Sequence, residues 1–294
     1  MKRFLISLGK AVLYTLLFLG VQAASVWIVA FFGSLYALLA PYGGNPFFSD
    51  ITSLATIVSC VLLYVLLFLF FAVRRKWLHH ETGFCVMPAA GQVLTGTLSL
   101  GFGLCILLNF MLALLPFPAE WIEQYEEQAS WLAEDSAVVL FFATVIFAPL
   151  AEELVFRGLV YTRLKRGLPQ RGMGIFFAAL ISAVIFGALH GTLLQLFYTV
   201  PMGLLLCFVY DRYKSLWASV LVHMAFNLCS FVLSYYWIDT VYVFGVFACI
   251  GVYLTVFGFA SGESYRRNRI PKQPLCSDSY DSSITINIKG RNSL

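Results

Sequence analysis

The sequence predicts an all-α membrane protein, a polytopic bundle of about eight transmembrane helices with both termini in the cytoplasm. Composition, the spacing of apolar segments and the position of basic residues each support this fold class. Of the 294 residues, 60% are hydrophobic and 12% are charged, and the mean hydropathy is +0.84. Soluble domains carry about a quarter charged residues. The composition therefore excludes a soluble enzyme, a disordered chain, a disulfide-rich secreted domain and a nucleic-acid binder.

Eight apolar segments are long enough to cross the hydrocarbon core, for which a helix needs about 20 residues. The first of them follows a short basic N-terminus but is too long for a cleaved signal peptide, so we expect it to be retained. In chain order the segments are Ala11–Leu39, Ile51–Val73, Val93–Leu115, Ala137–Arg157, Met173–His190, Leu193–Val209, Leu216–Tyr236 and Val241–Gly262.

Basic residues lie on one side of this predicted bundle. Of the 19 Lys and Arg residues, all except Arg157 fall at the N-terminus, in alternate connections or in the C-terminal tail. The charged residues of the opposite connections are all Asp or Glu. The positive-inside rule places the basic side in the cytoplasm. We therefore expect one transmembrane helical domain over residues 1–262 and a polar, mobile cytoplasmic tail over residues 263–294.

The fourth segment carries three ionisable residues, Glu152, Glu153 and Arg157. Such residues inside a bilayer are costly unless they are paired or reach water, so they are functional candidates. Glu153 and Arg157 are four positions apart and can pair on one helix face. Glu152 is rotated by about 100° from Glu153, which leaves it free for chemistry. The structural alternative is an ion-pair network that anchors the helix, but such a network has no use for the second carboxylate.

Two further clusters lie on separate segments. Phe186 and His190 share a predicted helix face at the end of the fifth segment, and His223 and Asn227 do so within the seventh. A lone histidine at a helix end is commonly an interface residue. For the His223 pair the structural alternative is a hydrogen bond between helices, because unsatisfied polar groups are costly in hydrocarbon.

Together the motifs EExxxR, FxxxH and HxxxN resemble those of the CPBP family, the CAAX proteases and bacteriocin-processing (Abi) proteins. The resemblance covers residues 137–231, about a third of the chain. The form Glu-Glu-Leu-x-Phe-Arg-Gly resembles the bacterial branch, which implies a multi-pass protein of a bacterial plasma membrane. The residues that carry the resemblance are Glu152, Glu153, Arg157, Phe186, His190, His223 and Asn227.

The resemblance implies a membrane-embedded endopeptidase, either glutamate-dependent or metal-dependent. In the glutamate-dependent version Glu152 is the base for a water also held by His190, and His223 with Asn227 stabilises the oxyanion. Glu153 and Arg157, with Phe186, support this geometry. In the metal-dependent version Glu152, His190 and His223 hold a zinc ion, although HExxH is absent. We favour metal-independent water activation and assign no firm cofactor.

The implied partners are a peptide or protein substrate, reached from the membrane or the cytoplasm, and the lipid bilayer, with no nucleic acid. A non-catalytic scaffold or immunity protein of the same fold is the main alternative. A transporter is a more distant one, because the sequence lacks paired halves with broken helices at corresponding positions.

One geometric condition applies to the proposed common site. If the fifth segment runs outward from Met173, His190 lies about 25 Å from the cytoplasmic side by helix rise, far from Glu152 and His223 on straight spans. The groups converge only if the fourth helix continues past Arg157 into residues 161–165, or if the fifth segment is tilted or starts deeper.

Overall fold

All elements of the described residues are helices in a computed structural model of the chain. The structure describes residues 2–39, 51–73, 91–133, 135–169, 171–234 and 241–269. In chain order the helices are α1 (Lys2–Leu39), α2 (Ile51–Val73), α3 (Gly91–Leu114), α4 (Ala119–Ala133), α5 (Ala137–Gly167), α6 (Met173–Ala188), α7 (Leu193–Tyr213), α8 (Leu216–Leu233) and α9 (Val241–Arg269).

Five helices of the described part are long and apolar enough to cross a membrane, namely α1, α3, α5, α7 and α8. The apolar stretches of α2, α6 and α9 are shorter in the described part of the chain. The all-α membrane class is therefore confirmed. The count of eight spans and the cytoplasmic location of both termini stay predictions, since the packing of the helices does not show which end of the bundle faces the cytoplasm.

Several helix ends differ from the apolar segments that predicted them. Helix α1 already begins at Lys2, and α5 continues past Arg157 to Gly167. Helix α6 ends at Ala188, so His190 lies in the following turn. Helix α9 runs to Arg269, into the predicted tail, whose remainder lies outside the described residues. Hydropathy marks where lipid begins, whereas caps and tertiary contacts decide where a helix ends.

The predicted acidic connection before α5 contains the amphipathic helix α4. Trp121, Tyr125 and Gln128 lie at helical spacing and are half-buried, while the acidic residues between them are exposed. Burial raises the pKa of the Tyr125 hydroxyl. Phe117, just before α4, stacks on Trp121 with ring centroids 6.2 Å apart and meets the edge of Phe197 of α7 at 5.2 Å. These rings fasten α4 to α7.

Helix α5 lies at the centre of the bundle. It contacts α1 and α2 on one side and α6, α7 and α8 on the other, while α3 packs between α8 and α9. The largest core cluster surrounds its C-terminal half, where Phe156, Tyr161 and Leu164 are buried. The carboxylates of α5 are therefore surrounded by other helices.

Two π-helical segments interrupt α5 on either side of the Glu152–Glu153 pair. They are Phe142–Phe147 and Leu154–Tyr161, separated by the α-helical stretch Ala148–Glu153. Pro149 in this stretch has no N–H for the helix ladder, which accounts for a changed bonding pattern just before it. π-helical turns are rare and frequently occur at functional sites. Here one segment ends six residues before Glu153 and the other begins directly after it.

Close backbone approach between α3 and α8 depends on Gly101. A Cβ atom at this position would lie 2.6 Å from Ala225 Cβ and would also collide with the carbonyl oxygen of Val222.

We expect Gly101→Ala to lower the thermal unfolding midpoint in detergent, because overpacking costs about 1–3 kcal/mol. Gly20→Ala is the matched control, since nothing lies within 4 Å of a Cβ there. Equal midpoints for the two variants would contradict this packing.

Candidate active site

The buried ion pair between Glu153 and Arg157 forms the centre of the candidate site. Their side chains are 0% and 1% exposed, and Arg157 Nη1 donates to Glu153 Oε1 at 2.7 Å, as the four-residue spacing predicted. Arg157 Nη2 donates to the carbonyl oxygen of Gly203 on α7 at 3.3 Å. The guanidinium carbon lies 4.6 Å from the centroid of the Phe186 ring. One arginine thus connects α5, α6 and α7.

His223 of α8 binds the same carboxylate. Its Nδ1 lies 2.9 Å from Glu153 Oε1, the oxygen that also accepts from Arg157. An ionised carboxylate only accepts hydrogen bonds, so Nδ1 carries the proton. The other ring nitrogen, Nε2, faces Glu152 at 3.7 Å from its Oε2. With a neutral imidazole the four side chains carry a net charge of −1, and with an imidazolium they are balanced.

Glu152 differs from its neighbour Glu153 in its surroundings. Its side chain is 19% exposed, whereas that of Glu153 is fully buried. The 3.7 Å distance to His223 Nε2 is too long for a good direct hydrogen bond. The two consecutive glutamates therefore separate into a buried carboxylate that is neutralised by Arg157 and a partly exposed carboxylate beside an imidazole.

The ring of Phe186 joins both histidines to this network. Its centroid lies 4.7 Å from that of the His190 imidazole and 5.9 Å from that of the His223 imidazole. His190 Nδ1 lies 2.9 Å from the Phe186 carbonyl oxygen, which can only accept, so Nδ1 donates and Nε2 is left as the acceptor of a neutral ring. Helix α5 also continues past Arg157 to Gly167. This continuation is one of the two conditions under which His190 could approach Glu152 and His223.

Asn227 contacts a different part of α5. Its Nδ2 donates to the carbonyl oxygen of Thr144, in the first π-helical segment, at 2.8 Å. The structure thus brings Glu152, Glu153, Arg157 and His223 into direct contact, adds Phe186 and His190 through ring packing, and attaches Asn227 to the backbone of α5.

Cys229 follows two residues after Asn227 and faces away from the site. Its Sγ lies 3.9 Å from the carbonyl oxygen of Phe102 on α3. Cys229 is six residues from His223, and at 3.6 residues per turn this spacing places the two side chains on different faces of α8.

Two contributors to the site were not found from the sequence. The Gly203 carbonyl accepts from Arg157. Helix α7 can approach α6 here because Gly203 has no Cβ, and a Cβ at this position would lie only 2.9 Å from Ala183 Cβ. Gln128 of α4 binds the backbone of His190. A backbone carbonyl has no side-chain signature, and only Pro201, two residues before Gly203, marks this part of α7 as irregular.

The residues of the site do not form a compact metal centre. Among the described residues, no group of three His, Cys, Asp or Glu side chains is arranged so that it could hold a metal ion. Nδ1 of His223 is held by Glu153 and Nδ1 of His190 by a carbonyl oxygen. Such contacts leave the two Nε2 atoms as the nitrogens that could bind a metal, so zinc dependence is a question for measurement and the reaction proposed below uses the side chains alone.

Comparison with known proteins agrees with the three motifs. Residues 134–229 match the family model described as "Type II CAAX prenyl endopeptidase Rce1-like". YdiL of Bacillus subtilis (strain 168), a protein described as a membrane peptidase, is 33% identical over 89 residues, which cover 30% of this chain and 34% of the relative. The chain therefore aligns with about a third of that relative's length. No solved structure matches the chain.

The fold and the site define a multi-pass membrane protein with a Glu–Arg–His network enclosed by its helices. The segment that carries this network, residues 134–229, is similar to the Rce1-like CAAX prenyl endopeptidases and to a bacterial membrane peptidase, which agrees with the resemblance that the motifs indicated.

We expect Arg157→Met to reduce stability strongly. Removing one partner of a buried ion pair typically costs about 3–5 kcal/mol, because the remaining charge is uncompensated. Arg157→Lys keeps the charge but not the planar fork that reaches both Glu153 and Gly203, so its unfolding midpoint should be intermediate. Lys10→Met, at an exposed position of α1, is the control. A midpoint of Arg157→Met equal to that of Lys10→Met would show that the pair contributes nothing.

Proposed function

We propose that the protein is a membrane-embedded endopeptidase that hydrolyses a peptide bond near the membrane, with Glu152 as the general base. One observation carries the proposal: of two adjacent glutamates, Glu153 is buried and paired with Arg157, while Glu152 is partly exposed beside His223. A purely structural ion pair needs only the first carboxylate. A carboxylate in a poorly hydrated site is suited to accept a proton from water.

In the proposed reaction, a water molecule binds between the Glu152 carboxylate and Nε2 of His190. The carboxylate takes one proton from the water while the water oxygen attacks the carbonyl carbon of the scissile peptide bond. This step forms a tetrahedral oxyanion. The proton held by Glu152 then passes to the amine nitrogen, the C–N bond breaks, and the acid and amine products separate. The Nδ1–H of His190 is held by the Phe186 carbonyl, which supports Nε2 as the acceptor.

Hydrogen-bond donors for the oxyanion come from α8 in this proposal. His223 Nε2, when it carries a proton, points toward Glu152, and the second N–H of the Asn227 amide remains after the first binds the Thr144 carbonyl. Such pre-positioned donors are commonly the largest single contribution to acyl-transfer catalysis. Glu153 and Arg157 take no proton, because their role is to fix the His223 ring.

The proposed substrate is a peptide or protein segment that reaches the site from the bilayer or from the cytoplasm, and the proposed location is a bacterial plasma membrane. The partly exposed carboxylate supports access from outside the core. A non-catalytic scaffold of the same fold is the alternative. A scaffold needs no exposed carboxylate at position 152, so the partial exposure of Glu152 favours the enzyme.

Substitutions at the proposed catalytic groups should separate activity from folding. We expect Glu152→Gln and His190→Ala to abolish proteolysis of a membrane-tethered reporter peptide while folded yield stays close to wild type. Arg157→Ala should reduce both. Glu127→Gln, at an exposed position on α4, makes the same chemical change away from the site and should be fully active. Full activity of Glu152→Gln would contradict the mechanism, and a wild type without activity on any membrane peptide would favour the scaffold.

Metal independence has its own test, elemental mass spectrometry of the detergent-purified protein. We expect less than stoichiometric zinc in the wild type and the same content in the His190→Ala/His223→Ala double variant. Stoichiometric zinc that disappears in the double variant would identify a metallohydrolase. In that case Glu152, His190 and His223 would be the ligands, and metal-free water activation would be wrong.

We also propose that the chain has eight spans with both termini in the cytoplasm, on the basis of the one-sided basic residues. A green fluorescent protein fused after Leu294 should fluoresce, and alkaline phosphatase fused within the connection 115–118 should be active, because it is active only outside the cytoplasm. A dark fluorescent fusion together with an inactive phosphatase fusion would show that the chain has the opposite orientation.

A further inference from the structure

We propose that Gln128 of α4 is a positioning residue of the active site, which holds the turn carrying His190 in place. This inference rests on the proposed function, because a catalytic role for His190 is part of it. Gln128 belongs to none of the three motifs and lies on a helix that the apolar segments did not predict. It acts on the backbone of His190 and does not contact the reacting atoms.

His190 is held by a short turn between two helices. Helix α6 ends at Ala188, and Gly191 has a φ of +92°, a conformation that favours glycine. The Thr192 side chain then accepts from Gln195 N at 3.2 Å and caps α7. Outside the regular helix ladder, the direction of the His190 ring depends on the few hydrogen bonds that its turn makes.

Gln128 supplies one of these hydrogen bonds from a separate helix. Its Nε2 donates to the His190 carbonyl oxygen at 3.1 Å, while the His190 N–H donates to the Gly187 carbonyl oxygen, also at 3.1 Å. A Cβ at Gly191 would lie 3.7 Å from the Gln128 amide, an ordinary contact. Position 191 therefore requires glycine for its backbone conformation, and the turn fits against Gln128 without strain.

The Gln128 amide is in a position that packing alone does not favour. Its Oε1 is buried and has no hydrogen-bond partner among the described residues. An unsatisfied buried polar atom costs about 1–3 kcal/mol, so an apolar side chain would be more stable here. The aromatic contacts of Phe117 with Trp121 and Phe197 already fasten α4 to α7. What an apolar residue could not supply is the N–H that holds the His190 carbonyl.

The test compares Gln128→Glu and Gln128→Leu with Gln124→Glu. The first replaces the N–H donor by a carboxylate oxygen at nearly the same shape, and the second removes both polar atoms. Gln124, exposed on the same helix, receives the same chemical change in the control. We expect both Gln128 variants to lower kcat about ten- to hundredfold with KM unchanged, because small misplacements of a catalytic group have such effects. Gln124→Glu should match the wild type.

A second measurement does not depend on activity. Hydrogen–deuterium exchange of the peptide spanning residues 189–192 should become several-fold faster in both Gln128 variants and stay unchanged in Gln124→Glu. For Gln128→Leu the thermal midpoint should be equal to or above that of the wild type, which a merely structural role would not produce.

The outcomes separate the two proposals. Unchanged exchange together with wild-type kcat in both Gln128 variants would overturn the positioning role, whatever His190→Ala does. Faster exchange in both variants, combined with full activity of His190→Ala, would support the hydrogen bond to the turn and overturn the catalytic role of His190. Loss of folded protein in Gln128→Leu would also overturn the proposal, because the side chain would then be needed for folding.

Discussion

The arrangement of the site depends on one buried carboxylate oxygen. Glu153 Oε1 accepts from Arg157 of its own helix and from His223 of α8, and Arg157 extends the network to Gly203 of α7 and the Phe186 ring of α6. A charge enclosed in a bundle is tolerated only when its partners are fixed around it. Four helices are therefore held in register by the need to compensate a single negative charge.

This constraint also explains why two neighbouring glutamates behave differently. Glu153 is fully buried and its charge is matched by Arg157, whereas Glu152 is 19% exposed and faces the free edge of the His223 ring. The π-helical segment that begins at Leu154 changes the helix geometry directly after this pair. A buried, paired carboxylate and a partly exposed one thus come from adjacent positions, which is the separation that the proposed role of Glu152 as a base uses.

Much of the fold and of the site could be predicted because the signals are carried by side chains. Apolar runs indicated the helices, and four-residue spacing predicted the Glu153–Arg157 pair correctly. Other features depend on the backbone or on tertiary contacts. The π-helical segments of α5, the Gly203 carbonyl and the turn that places His190 beyond the end of α6 have no distinct side-chain pattern. Helix α4 was missed because glutamates interrupt its apolar positions and only one of its faces is packed.

A double-mutant cycle between Glu153 and His223, measured by reversible unfolding in detergent, tests whether the motifs of α5 and α8 form one site. The cycle compares Glu153→Gln, His223→Asn and the double variant with the wild type. Because both residues share one buried hydrogen bond, we predict a coupling free energy of about 1–3 kcal/mol, within the range for contacting residues. Additive effects, with no coupling, would mean that the motifs of α5 and α8 do not form one site, and would contradict the account.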